Sequence, residues 1–206
     1  MKGNNIMNKL ILSLAALSAV ALTAVELPSN GGFEKCKAGK NGILMPEGWA
    51  PTKSQNKNAS MQVTNDEDAP NSGKFAFDFE VEKGGQAFLT YWGPLGDTSK
   101  IKVGDKIKVS AFAKGTGSFQ LAYILYGIPE GGKKRAFMWT AVAGKFKVNN
   151  EDKYQKFEKT VSLQSVTKNG KKHTNVTLLP VIIVNGDSTI LLDDYSIAIE
   201  APTVRK

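Results

Sequence analysis

The chain has 206 residues and a formal net charge of +8, from 27 lysine and arginine residues against 19 aspartate and glutamate residues. This length suits one domain with a sizeable core, and a single cysteine, Cys36, excludes a fold stapled by internal disulfides. Cys36 is therefore predicted to be a free thiol in a surface loop. The excess of positive charge favours anionic partners. Because the lysines are spread along the chain, however, they are equally well explained as a solubilising surface.

The first 21 residues are predicted to be a secretory signal peptide. Lys2 and Lys9 precede an apolar run, and Ala19-Val20-Ala21 matches a cleavage signal. Cleavage would leave residues 22–206 as a single domain with a charge of +6, because the leader removes two lysines and no acidic residue. A secreted, periplasmic or cell-surface protein has no ordinary access to nucleic acid. No later apolar run is long enough for membrane insertion.

Alternating apolar and polar residues predict strands throughout the rest of the chain, and no helix of useful length. In the clearest strand, 75–82, the side chains of Phe75, Phe77, Phe79 and Val81 share one face. The other predicted strands span 60–65, 86–92, 106–114, 119–127, 135–143, 155–163, 177–184 and 189–201. Glycine-rich turns are predicted at 83–85, 114–117, 130–132 and 185–186. Short strands joined by such turns predict a β-sandwich or barrel.

Four segments resemble, in the same order, the carbohydrate-binding modules of secreted bacterial cellulases and xylanases. They are Asn30-Gly31-Gly32-Phe33-Glu34 with Pro46-Glu47-Gly48-Trp49, Ile101–Gly115, Tyr154–Phe157 and Leu191–Ile197. Tyr154 stands where the family usually has tryptophan. The resemblance spans residues 30–200 and implies an all-β, two-sheet jelly-roll β-sandwich of the galactose-binding-like type. It further implies a polysaccharide partner and a binding rather than a catalytic role.

The resemblance also implies a structural Ca²⁺ where the first and last strands meet, since many members of the family bind calcium there. Glu34 and Asp194 are the expected ligands, and Asp193 is a third candidate. Strand alternation places Asp193 on the face of Tyr195, with Asp194 opposite, unless a bulge intervenes. The alternative is that both aspartates accept hydrogen bonds or pair with a lysine. Phe33 and Trp49 are predicted to close the core.

A groove on the concave outer sheet, as in the family, is the expected sugar site. Alternation along the strands and the positions of the turns select the candidates: Phe112, Gln120, Tyr126 and Trp92 in the groove, with Trp139, Tyr91 and Arg135 near its rim. Trp92 and Tyr126 are expected to be the most exposed, because they lie at strand ends beside glycine and proline. A position in the core is the alternative for each aromatic residue, since one bulge reverses every later side chain.

Signals for catalysis are weak. His173 lies in a basic turn without a nucleophile motif, and is predicted to be solvated. Asp78 and Glu80 should share a strand face about 7 Å apart, a separation compatible with inverting glycosidases but equally typical of any solvated strand. The sequence therefore predicts no enzyme. The alternatives are a structural or adhesive cell-envelope module of the same fold without a sugar groove and, more distantly, a small hydrolase.

Overall fold

The computed structural model describes residues 25–27, 30–39, 42–52, 54–65, 71–93 and 100–200; the predicted signal peptide lies outside them. The strands are β1 (Val25–Leu27), β2 (Cys36–Ala38), β3 (Leu44–Pro46), β4 (Trp49–Pro51), β5 (Lys57–Thr64), β6 (Ala76–Tyr91), β7 (Lys106–Pro129), β8 (Ala136–Ser162), β9 (Thr167–Lys168) and β10 (Lys171–Glu200). The described ranges contain no α-helix, as predicted, and thus no helix that could span a membrane.

All strand pairs are antiparallel, and β10 is at the centre of the sheet. Its neighbours follow the order β4-β6-β10-β7-β8, while β1 and β9 also pair with β10 and β5 pairs with β6. The short strands β2 and β3 form a separate two-stranded ribbon. The central strand is apolar on both faces between Leu178 and Val184, and it has a neighbouring strand on each side.

Three of the four predicted glycine turns are wrong, because they are bends inside long strands. Residues 83–85 lie within β6, 114–117 within β7 and 185–186 within β10; only 130–132 joins two strands. At Gly115 and Gly117 φ is 118° and 127°, conformations that side chains with a Cβ rarely adopt. The ladder between β10 and β7 shifts register beside them, between Asn185 and Thr189. Glycine therefore supplies a sharp bend here rather than a chain reversal.

The bends divide the long strands into two layers. Layer 1 contains β5 and the segments 76–82, 106–114, 155–162 and 189–200; layer 2 contains β4 and the segments 86–91, 118–129, 136–148 and 171–185. Inward side chains of both layers, such as Phe79 from layer 1 and Leu121 from layer 2, join one core cluster. This is the predicted two-layered jelly-roll sandwich, with backbone hydrogen bonds that continue from one layer to the other through the bends.

The opening turn around Gly31 ties the start of the domain to its last strand. The carbonyl of Gly31 accepts a hydrogen bond from Tyr195 N at 3.0 Å. A Cβ on residue 31 would collide with the Tyr195 carbonyl oxygen, so only glycine fits this approach. Trp49 Nε1 donates to the Asn30 carbonyl at 3.0 Å. Phe33 and Trp49 are 0% and 3% exposed, which confirms their predicted place in the core.

Candidate functional site

The outer face of layer 2 carries a second apolar cluster, separate from the core between the layers. Its buried members are Phe88, Ala122, Ile124, Val181 and Ile183, and Tyr126 and Leu179 pack against them. All seven residues lie on the adjacent strands β6, β10 and β7. Their period-2 spacing puts them opposite the core-facing residues of the same strands. This face of the sheet is therefore apolar, and its five central side chains are buried.

Aromatic side chains lie at one end of this face, Trp92 on the β6 side and Tyr126 with Phe137 on the β7–β8 side, and we call these three residues the aromatic end. Trp92 follows β6 directly and is 53% exposed; Phe137 on β8 is 48% exposed. The rings of Tyr126 and Phe137 meet edge to face, with centroids 5.9 Å apart. Tyr126 itself is half-buried. From β6 to β8 is three strand spacings, roughly 14 Å, so the aromatic end is wide enough for more than one sugar ring.

Amide and hydroxyl groups lie along the same face. Gln120 is half-buried and pairs in register with Ile183 of the second cluster. Gln86 Nε2 donates to Asn185 Oδ1 at 3.1 Å, and the hydroxyls of Thr52 and Thr90 lie 2.9 Å apart. Thr90 is fully buried, but the half-buried amides of Gln86 and Gln120 can donate to and accept from sugar hydroxyls.

Three predicted groove or rim residues lie elsewhere. Phe112 is half-buried on the outer face of layer 1, opposite Asp193, because the bend at 114–117 separates it from Gln120. Tyr91 is 2% exposed and packs against Trp49 in the core. Trp139 also packs against the core. The structure therefore leaves Trp92, Tyr126 and Gln120 on the predicted face, and Arg135 exposed in the loop before β8.

Phe137 was not among the candidates, although alternation along β8 places it on the same face as Trp139, which was a rim candidate. The register with β7 shifts between Tyr126 and Leu125: Phe137 pairs with Tyr126, and Trp139 with Leu125. Met138 is the extra residue and is buried. This bulge sends Phe137 outward and Trp139 inward. Sequence alternation could not reveal this bulge. The glycine turn predicted at 130–132, shortly before Phe137, was a partial signal.

The three predicted calcium ligands meet at the junction of the first and last strands, around loop 71–75. Glu34 Oε1 accepts hydrogen bonds from the backbone N–H groups of Lys74 and Phe75, at 2.9 and 3.0 Å. Asp193 accepts from Ser72 N at 2.9 Å and from the N–H of Asp194 at 2.7 Å. The carboxylate of Asp194 accepts from the Asn71 amide at 2.8 Å and the Ser72 hydroxyl at 2.6 Å.

A bulge at Asp194 reverses the predicted alternation. Register with β7 shifts between Asp193 and Ser196, and φ of Asp194 is 47°. Asp193 therefore does not share the face of Tyr195, which lies in the core. Burial, reinforced by the Asp194 carboxylate, raises the pKa of Asp193 to about 6, against the lowering effect of the hydrogen bond from Ser72 N–H.

The junction offers carboxylate, amide and hydroxyl oxygens, the ligand type that Ca²⁺ prefers. No described lysine or arginine forms an ion pair with Glu34, Asp193 or Asp194; the ion pairs of the described residues join Lys108 and Lys156 to Glu158. In the described ranges no group of three or more acidic, histidine or cysteine side chains is close enough to hold a metal as it stands. As they stand in the described ranges, the carboxylates form no metal site, and each accepts hydrogen bonds from loop 71–75.

Comparison with known proteins finds likeness in structure alone. No protein-family model matches the chain, and no curated protein matches it significantly. A cyclase from Fischerella sp. TAU is 14% identical, with a TM-score of 0.54 over 88% of this chain and 100% of that chain. The N-terminal CBM22-1–GH10 modules of Clostridium thermocellum endo-1,4-β-D-xylanase 10B, solved with xylohexaose, are 14% identical, with a TM-score of 0.50 over 82% of this chain and 27% of that chain.

A third solved structure is the CBM22-1 xylan-binding domain from Paenibacillus barcinonensis, which is 14% identical, with a TM-score of 0.46 over 87% of this chain and 95% of that chain. The likeness is one of fold. The likeness to the xylanase modules, at a TM-score of 0.50, confirms the fold resemblance that the sequence suggested. The same fold occurs in a cyclase, so the fold by itself does not decide between binding and catalysis.

Two further predictions about single residues are wrong. His173 is 6% exposed rather than solvated: it lies in β10 opposite Pro129, and its Nδ1 is 3.0 Å from the Lys171 carbonyl oxygen. Cys36 lies in strand β2 rather than in a loop, half-buried, and its Sγ donates to the Phe33 carbonyl at 2.9 Å. Burial, with smaller effects of Glu34 and Glu47, raises the pKa of the Cys36 thiol.

Proposed function

We propose that the protein is an exported, non-catalytic carbohydrate-binding protein that holds a polysaccharide by stacking sugar rings on the aromatic end of layer 2. The observation that carries the proposal is the exposure of Trp92 and of Phe137, which contacts Tyr126, at the end of an apolar outer face. Large aromatic side chains at such exposed positions do little for stability, so they point to a ligand. The fold that the chain shares with the xylanase modules solved with xylohexaose supports this proposal.

Stacking suits this geometry because an exposed ring offers its apolar face to the C–H face of a pyranose. Tyr126 is held in place by the second apolar cluster, so little side-chain freedom is lost when a sugar binds. Gln120 lies on the same face and can bond hydroxyl groups of the chain.

A binding role fits the position of the one carboxylate pair that the sequence singled out. Asp78 and Glu80 lie on β6 in layer 1, and Ser60 Oγ donates to Glu80 at 3.2 Å. The aromatic end is in layer 2, beyond the bend of the same strand. A sugar held there would not contact this pair, so we assign the pair no catalytic role.

We also propose a structural Ca²⁺ at the junction, held by Glu34 and Asp194 with Asp193. The ion would neutralise three carboxylates that no described cationic side chain pairs with. It would fix loop 71–75 against the last strand and stabilise the sandwich rather than touch the sugar. Its test is given in the Discussion.

Substitution of the exposed aromatic residues tests the binding surface. We expect Trp92→Ala and Phe137→Ala each to weaken binding to soluble xylan about tenfold or more, as loss of a binding hot spot does. Migration of native protein through gels that contain xylan measures the affinity. The matched control is Phe112→Ala, an aromatic residue on the outer face of layer 1, which should leave migration unchanged. Equal weakening by all three variants, or by none, contradicts the proposed surface.

A further inference from the structure

Two basic turns meet beside the aromatic end. The first is the loop between β7 and β8, with Lys133, Lys134 and Arg135, all exposed. The second is the turn between β9 and β10, flanked by Lys168 and Lys171, with Lys172 next along β10. We call these six residues the basic end.

Backbone contacts hold the two turns side by side. Glu130 N donates to the Lys172 carbonyl at 2.8 Å, and His173 pairs in register with Pro129. Lys168 Nζ donates to the Phe137 carbonyl at 3.0 Å and lies 4.8 Å from the centre of the Phe137 ring. These contacts join β9 and β10 to the ends of β7 and β8. The charged side chains therefore lie on two turns that backbone contacts hold together, rather than on one unsupported loop.

Positive charge is concentrated at the basic end. It holds six of the 27 cationic residues of the chain, and of the 19 acidic residues only Glu130 lies in its two turns. None of the six forms an ion pair with a described carboxylate. Clustered like charges destabilise a surface through mutual repulsion, and they create a local positive potential that attracts anions.

One residue of the aromatic end and two residues of the basic end line the same cavity. A cavity of about 320 Å³ is lined by Phe137, Lys168 and Lys171, together with Pro129, Ala136, Asn169 and His173. The same Phe137 ring contacts Tyr126. A polymer held at Phe137 would therefore lie beside the ammonium groups of Lys168 and Lys171.

We propose that the basic end is a subsite for the acidic groups of an anionic polysaccharide, either uronic carboxylates or sulfate esters. This inference rests on the proposed function and names its ligand class. Ammonium and guanidinium groups bind both kinds of oxyanion, and Arg135 can bind either with two parallel hydrogen bonds. The aromatic end supplies the contact with the sugar ring, and the basic end supplies the preference for charge.

A matched pair of charge variants tests the subsite. In the test variant Lys133, Lys134, Lys171 and Lys172 become glutamine; in the control variant Lys37, Lys83, Lys106 and Lys153 do. All eight side chains are exposed, and both variants lose the same charge. Affinity electrophoresis with polygalacturonate, dextran sulfate and neutral xylan compares both variants with the unaltered protein, in low and in high salt. If the test variant does not fold, K133Q/K134Q and K171Q/K172Q are measured separately.

We expect the test variant to lose about tenfold or more in affinity for polygalacturonate or dextran sulfate at low salt, and the control variant to lose much less. The polymer with the larger loss identifies carboxylate or sulfate as the preferred group. Xylan affinity should not change. Equal losses in both variants, equal binding of double-stranded DNA, or binding of xylan alone would overturn the subsite while the proposed function stands. Failure to bind any of the glycans would overturn both.

Discussion

Asp78 illustrates how a single side chain on a strand face acquires an unusual environment. It is half-buried on β6, between Gln62 of β5 and Leu191 of β10. Burial and then the nearby Glu80 raise the pKa of its carboxyl, and a hydrogen bond with Gln62 opposes them. The charged form of Asp78 is therefore less favourable in the folded protein than in the unfolded chain. The sequence indicated that the two carboxylates share a face, but it could not show the burial.

Stability should respond to this residue in a pH-dependent way. A carboxyl whose pKa is raised on folding stabilises the protein below its unfolded pKa, and this stabilisation is lost as pH rises through the folded pKa. We therefore expect Asp78→Asn to raise the melting temperature at pH 7. The gain in free energy of unfolding should not exceed the roughly 1 kcal/mol typical of partly exposed charges. The gain should shrink toward pH 3, where wild-type Asp78 is protonated in both states. Glu82→Gln, exposed on the same strand, is the control. A gain that is constant with pH would exclude the charge as its cause.

At the scale of strands, the alternation of side chains was predictable and the continuity of the backbone was not. Ile107, Val109, Ala111 and Ala113 all face the core as the pattern predicts, because burial of one face dictates period 2. A glycine-rich stretch, however, suits both a reversal and a bend, and only pairing with distant strands decides between them. Bulges at Met138 and Asp194 are set by the neighbouring strand β7 in the same way. Local sequence therefore missed Phe137 and misplaced Asp193 relative to Tyr195.

Calcium bound at the junction of loop 71–75 with β10 would change the thermal stability of the protein. If the ion binds there, a calcium chelator should lower the melting temperature by roughly 5–10 °C, from the approximately 2–3 kcal/mol that a ligand at 100 times its dissociation constant contributes. Glu34→Gln should reduce this difference, whereas Asp187→Asn, an exposed aspartate at the bend of β10, should not. Thermal unfolding with and without the chelator measures the effect. Identical curves for the unaltered protein would show that the hydrogen bonds suffice without a metal.

At the scale of the whole molecule, the site depends on strand ends that lie far apart in sequence. Trp92 follows β6, Tyr126 is near the end of β7, and Phe137 is near the start of β8. The central strand β10 brings these ends together, since it pairs with both β6 and β7. The sequence identified Trp92 and Tyr126 because glycine and proline follow them. It could not indicate that the basic turns adjoin Phe137, because that neighbourhood exists only in the folded sandwich.

Polysaccharide binding by the unaltered protein is the measurement that tests the central claim most directly. Residues 22–206 are run through native gels containing neutral xylan or β-glucan and acidic polymers, at low and at high salt. The account predicts retardation by at least one glycan that persists at high salt, because stacking on aromatic rings is not screened by ions. Retardation by acidic polymers alone, abolished by salt, would contradict the stacking surface. Free migration through every gel would instead favour a structural or adhesive envelope module of the same fold.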